Sequence, residues 1–153
     1  MAALPWEERE EKKMTGKSHR LMAAAGVVLL GASPIYAAVA ALGATLPDRI
    51  EAVGLPHRGI SHWPWPWALA VWSMWAQHTQ WGTLLAWWLA GALFHIGADL
   101  MTIGGVPLLL PHWRVHLGVL RTGGTGEYVV VLLFVVAALV QVVPLPVLRL
   151  AMP

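Results

Sequence analysis

Two acids, two arginines and two histidines fall between Asp48 and His62, in a chain otherwise dominated by Leu, Val, Ala and Trp. They are Asp48, Arg49, Glu51, His57, Arg58 and His62. A second polar group, His95 and Asp99, sits at the end of a long apolar run, and His19 stands where the chain first turns apolar. Ionisable groups in or beside membrane segments are expensive to keep and by default mark function. Imidazole and carboxylate are the ligand types that suit zinc, manganese and related divalent metals. The chain has no cysteine, so disulfides and thiolate ligands are excluded and any metal is held by nitrogen and oxygen. His95 and Asp99 are four apart on an expected helix and share a face. His57 and His62 flank an Arg-Gly turn, and Asp48 and Glu51 follow closely on an expected helix end.

The expected metal ligands are His19, Asp48, His57, His62, His95 and Asp99, enough for one ion or for a two-metal site. A bound metal makes water a usable nucleophile near neutral pH, so no Ser or Cys is needed. Glu51 and Glu127 are candidates for a further ligand or general base. Arg58 can hold an anionic group by a bidentate contact, and Arg121-Thr122-Gly123 can do the same from a second loop. The same residues also admit structural explanations. Asp48 after Pro47 suits a cap or turn. His95 with Asp99 suits a hydrogen bond between helices, because buried polar groups in a bilayer must find partners. Glu127 opens the last expected helix, where the helix dipole alone favours a carboxylate. His78, His112 and His116 read as boundary residues.

The elements that must position these groups are membrane elements. The chain is 58% hydrophobic and 12% charged, against roughly 25% charged residues in soluble domains. Its 153 residues suffice for one domain. A net charge of +2 does not make a nucleic-acid surface, so no nucleic-acid partner is expected. Trp63, Trp65 and Trp67 fit residues that anchor at a bilayer interface.

Residues 1–13 read as a polar N-terminal extension with a charge run from Glu7 to Lys13, and 14–150 as a single membrane-embedded domain. Met14 is an alternative translation start; an intact mass that includes residues 1–13 rules this out. Residues 21–46 are apolar, with Gly31-Ala32-Ser33-Pro34 in the middle. They form either one kinked spanning helix or a hairpin of two short helices, 19–31 and 34–46. The basic start mimics a signal peptide, but the apolar run exceeds the usual h-region of about 7–15 residues and further apolar segments follow, so cleavage is not expected. Residues 63–78 form a short Trp-rich segment, 81–102 a transmembrane candidate, and 103–126 a structured loop. Residues 127–143 are apolar and β-branched, too long without a turn signal for a strand, and read as a membrane helix stopped by Pro144 and Pro146.

Charge decides between the two readings of 21–46. With a single span, six basic residues face four across the bilayer; with the hairpin, nine lie on one side and only Arg149 on the other. Lys and Arg gather on the cytoplasmic side, so the hairpin is preferred, with the N-terminus and the site cytoplasmic. The hairpin also returns Asp48 to the face where His19 begins.

Leu46-Pro47-Asp48, His57-Arg58-Gly59-Ile60-Ser61-His62, His95-x-x-x-Asp99 and Gly105-Val106-Pro107-Leu108-Leu109-Leu110-Pro111 together resemble the YdjM-like family of bacterial inner-membrane proteins, described as metal-dependent hydrolases. The resemblance extends to Ser18-His19, Arg121-Thr122-Gly123 and Glu127, and covers nearly all of residues 14–143. The family's usual Asp-Ile-Asp-His is Asp48-Arg49-Ile50-Glu51 here, which leaves open whether Glu51 replaces a ligand or the site holds fewer metals. More distantly, the pattern is similar to zinc-dependent phospholipase C and related zinc nucleases. That likeness implies phosphoester chemistry, with a phospholipid head group among the substrates it would suit.

The expectation is an all-α integral membrane protein, an N-terminal helical hairpin plus about three further hydrophobic helices. Its expected function is metal-dependent phosphoester hydrolysis with zinc or manganese at the bacterial inner membrane. The rival is a non-catalytic membrane protein in which the same groups hold a structural metal or an interhelical polar network. A transport pathway would need polar residues across the bilayer, and 127–143 offer only Gln141.

Overall fold

Thr15 starts the first helix: its hydroxyl accepts from Ser18 N at 3.2 Å, which satisfies one of the free N–H groups of the first turn. Helix α1 then runs Gly16–Leu29. The chain reverses at Gly31, whose φ of 81° lies in the left-handed region that glycine adopts without a Cβ penalty. Helix α2, Pro34–Gly43, opens on a proline whose fixed φ suits a first helical position. This is a computed structural model, and it describes residues 14–54 and 58–143. The extension 1–13, His57, Pro144, Pro146 and Arg149 lie outside the described residues.

The two arms pack against each other, so residues 21–46 are the hairpin and not one kinked span. With 14 and 10 residues, they are about 21 and 15 Å long, well short of a hydrocarbon core of roughly 30 Å. A short helix α3, Leu46–Glu51, follows, then a 3-10 turn, Ile60–His62. Helix α4, Pro64–Trp75, and helix α5, Gln80–Leu100, form the next antiparallel pair. Thr79 caps α5, accepting from Gly82 N at 2.9 Å. Helix α6, Thr125–Val142, closes the described chain. Between α5 and α6 the expected loop contains a small antiparallel pair, β1 Val106–Pro107 with β2 Arg114–Val115, Val106 standing opposite Val115. Among the described residues the fold is therefore mostly helical with one two-stranded sheet. Two residues on each side give no period-2 signal, which is why sequence reading misses it.

Helices α5 and α6 are long and apolar enough to cross a membrane. Much of α6 faces outward with Val129, Leu132, Leu133, Val136, Leu139 and Val140 exposed. A continuous apolar face of this kind is rare on soluble monomers and suits lipid.

Small residues let the helices touch backbone to backbone. A Cβ on Gly43 would meet Trp88 O at 1.7 Å, and one on Gly91 would meet Ala40 O at 2.0 Å. Helix α2 therefore lies directly against α5, as small residues permit in membrane bundles. Val27, Ala37 and Ala40 fill the core beside Phe94 and Trp87. Because the helices alternate in direction, one end of the bundle collects the start of α1, the end of α2, the start of α4, the end of α5 and the start of α6. The functional candidates gather at that end.

Candidate metal centre

His95 and Asp99 lie on the last turns of α5 and point the same way, as their spacing of four requires. His95 is 1% exposed and Asp99 3%. The close contact of α2 with α5 brings the carbonyl of Ala44, the C-cap of α2, onto His95: Nδ1 donates to Ala44 O at 2.7 Å. That carbonyl has no partner within its own helix, because helix ends leave such groups free. The sequence pattern that packs two helices thus also orients an imidazole.

His62 arrives from the 3-10 turn and is fully buried. The turn is pinned from outside by the Trp-rich segment, where Trp67 Nε1 donates to Ser61 O at 2.8 Å. It is pinned from inside by Glu51, whose Oε1 accepts from Arg58 N at 2.5 Å, Ser61 Oγ at 3.0 Å and His62 Nδ1 at 2.8 Å. Glu51, expected as a further ligand or base, thus stands behind His62 and fixes its ring.

The tautomers follow from these partners. A carbonyl or carboxylate oxygen only accepts, so Nδ1 carries the proton on both rings. Rings held this way turn their Nε2 atoms toward each other, 3.1 Å apart. Asp99 Oδ2 lies 3.3 Å from His62 Nε2 and 3.4 Å from His95 Nε2. Asp48 Oδ1, reaching from α3, lies 3.9 and 3.8 Å from the same two atoms. Four potential ligand atoms therefore converge.

This donor set fits a divalent ion. Tetrahedral bonds of about 2.0–2.1 Å to nitrogen and oxygen place neighbouring ligand atoms roughly 3.3 Å apart. The spacings among His62, His95 and Asp99 match that edge. The carboxylate behind His62 and the carbonyl behind His95 are the outer partners that ligating histidines ordinarily have. Asp48 is more distant and its side chain is 33% exposed, so the fourth side of the cluster is the accessible one.

His19 is delivered by α1 and is 2% exposed. Its ring stacks on His95 at 3.6 Å between centroids, and its Nε2 lies 3.7 Å from Asp99 Oδ1. With His95 and Asp99 it forms a second group whose ligand atoms lie close enough for a metal. Arg58 is 2% exposed, and its Nη2 donates to Asp99 Oδ1 at 3.0 Å. The centre thus unites His19, Asp48, Arg58, His62, His95 and Asp99, with Glu51 behind them.

Other expected residues stand elsewhere. Glu127, a candidate base or ligand, is buried at the start of α6. Its Oε1 accepts from Ser18 Oγ at 2.5 Å and Thr15 N at 3.3 Å, and its Oε2 from Gly123 N at 2.7 Å. It joins α1 to α6 and is in neither of the groups able to hold a metal. Arg121 is exposed and Thr122 half-buried in the loop before α6. His78, His112 and His116 are exposed. Sequence reasoning missed Ser61, which sits inside the quoted His-Arg-Gly-Ile-Ser-His motif, and the Ala44 carbonyl, for which no side-chain signal exists.

A family model described as YdjM inner membrane protein matches residues 14–150. No curated protein and no solved structure matches the chain. The match spans almost the whole chain, including every residue of the buried His/Asp centre, and the chain belongs to the YdjM inner membrane protein family.

Proposed function

We propose that this protein is a membrane-bound metal-dependent hydrolase acting on a phosphoester, with zinc or manganese as its ion. The observation that carries the reading is the convergence of two imidazole Nε2 atoms and Asp99 Oδ2 beside a fourth, accessible side at Asp48. A structural zinc site is closed by four protein ligands, whereas a catalytic one keeps a position for water or substrate. Three well-spaced donors with an exposed fourth side suit the second kind. A divalent ion held there supplies Lewis acidity and activates water near neutral pH. His62 and His95 would hold it, Glu51 and Ala44 O fix their rings, and Arg58 would lie beside it to take a developing negative charge.

The surface favours an anionic substrate drawn from the membrane. Among the described residues, the exposed charged side chains are Lys17, Arg20, Arg49, Arg114 and Arg121, all basic. The described acids, Asp48, Glu51, Asp99 and Glu127, are buried or half-buried. These cations lie at the site end of the bundle, beside exposed Leu109, Leu110 and Trp113. A basic rim with apolar tips suits phosphorylated head groups at an interface. The same asymmetry supports a multi-pass arrangement with the site and N-terminus cytoplasmic.

The test is elemental analysis of detergent-purified protein, followed by hydrolysis of bis(p-nitrophenyl) phosphate before and after chelation. Wild type is expected to carry zinc or manganese, to lose turnover on chelation and to regain it with added ion. A metal-free protein that takes up no added ion sinks the hydrolase reading and leaves the cluster as an interhelical polar network.

A further inference from the structure

Asp99 divides its two oxygens. Oδ2 faces His62 and His95 at 3.3 and 3.4 Å, while Oδ1 receives Arg58 Nη2 at 3.0 Å and faces His19 Nε2 at 3.7 Å. In two-metal hydrolytic sites the ions sit about 3.5–4 Å apart, close enough for one carboxylate to span them, one oxygen to each. Here the second oxygen meets a guanidinium. Arg58 is placed there with unusual firmness. Its backbone adopts φ 50°, a left-handed conformation that a side-chain-bearing residue keeps only when its surroundings enforce it. Glu51 Oε1 accepts its N–H at 2.5 Å, and the side chain is 3% exposed. The chain is thus held at both ends of this residue.

We propose that Arg58 takes the place of a second metal ion. The centre is then a composite of one divalent ion and one guanidinium, joined through Asp99, and it receives a phosphate-type oxyanion between the two charges. This rests on the metal reading above. A second ion beside Asp99 would have His19 and His95 as its near ligands among the described residues, with His95 shared with the first ion, and at Oδ1 it would sit against a permanent positive charge that cannot be deprotonated. A guanidinium offers the planar donor geometry that phosphate oxygens accept.

The first measurement is stoichiometry with manganese alone. Purified wild type, stripped and reloaded with Mn²⁺, is expected to bind one ion per chain and to give the six-line paramagnetic resonance spectrum of an isolated Mn²⁺. Two ions per chain, or an exchange-coupled spectrum, overturns the proposal while leaving the metal reading intact. Failure to take up any ion overturns both. The second measurement uses Arg58→Gln, with Arg58→Lys beside it, titrated with Mn²⁺, with inorganic phosphate and with a short-chain phosphatidylglycerol below its micellar concentration. Removing the neighbouring charge is expected to tighten Mn²⁺ about two- to ten-fold. It is expected to weaken both phosphate probes about ten-fold or more, with Lys in between. The probe that wild type binds more tightly distinguishes a lipid head group from free phosphate as the source of the oxyanion. A variant that loses Mn²⁺ and phosphate together shows Arg58 to be a structural prop and overturns the proposal.

Discussion

Two buried acidic centres lie at the same end of this bundle, and they are built on opposite principles. At Glu127 the carboxylate meets three donors: Ser18 Oγ, Thr15 N and Gly123 N. Acceptors and donors match, so the centre is complete as it stands, a clasp between α1 and α6. At His62, His95, Asp99 and Asp48 the backs of both rings are matched, by Glu51 and by Ala44 O, while the fronts crowd two imidazole nitrogens and two carboxylates together. A single proton on one Nε2 would satisfy one pair and leave the rest opposed. A divalent cation would satisfy all of them. The difference teaches that burial and residue type do not separate a site from a structural network; the balance of donors and acceptors does. Both centres use carboxylates in a low-dielectric setting, where an unmatched polar group costs most.

The sharpest way to break this comparison is to delete the fronts of the rings. His62→Ala and His95→Ala are each expected to reduce bound metal to below about a tenth of the wild-type content, since three-donor sites rarely survive loss of one donor. Elemental analysis reads this directly. Glu127→Gln should keep its metal and instead lower the unfolding free energy in detergent by about 1–3 kcal/mol, because donors on Ser18, Thr15 and Gly123 lose part of their acceptor. If Glu127→Gln loses metal and His95→Ala keeps it, the two centres have been assigned the wrong way round. Chelation sharpens the same contrast. It should lower the thermal midpoint of wild type and of Glu127→Gln and leave His95→Ala unmoved.

Glu51→Gln probes the boundary between the two principles. Glu51 stands behind His62, where it accepts from His62 Nδ1, Ser61 Oγ and Arg58 N at once. Removing such an outer partner typically costs about 10–100-fold in metal affinity. A competition titration against a zinc-sensitive dye should show that loss with the ion count per chain unchanged at saturation. An unchanged affinity would mean that the His62 ring is held by packing alone.

Much of this was legible because the signals are local or charge-based. The spacing of four put His95 and Asp99 on one face, and the distribution of Lys and Arg selected the hairpin that returns Asp48 to His19. What could not be read was set by tertiary approach. Glu51 resembled a replacement ligand because its type and position suit either role; only the path of the 58–62 turn places it behind His62. Glu127 resembled a base for the same reason, and the fold gives its oxygens to α1 and the loop before α6. The β1–β2 pair is too short to carry a period. The Ala44 carbonyl is a backbone atom, made available by the packing of Gly43 and Gly91.

That packing supports the last and smallest effect. Gly91→Ala would place a Cβ 2.0 Å from Ala40 O, so α2 must retreat from α5 by roughly an ångström. Overpacking of this kind costs about 1–3 kcal/mol. The consequence for the site is indirect: the Ala44 carbonyl moves with α2, and the 2.7 Å bond that fixes His95 lengthens. The metal should remain, because His62, Asp99 and the His95 ring itself stay in place, but its affinity should fall by less than in Glu51→Gln. Gly97→Ala is the control, since nothing lies within 4 Å of the Cβ it would add. A loss of stability in Gly91→Ala with metal affinity equal to that of Gly97→Ala would show that helix packing and ring orientation are uncoupled, and that His95 owes its direction to something other than the end of α2.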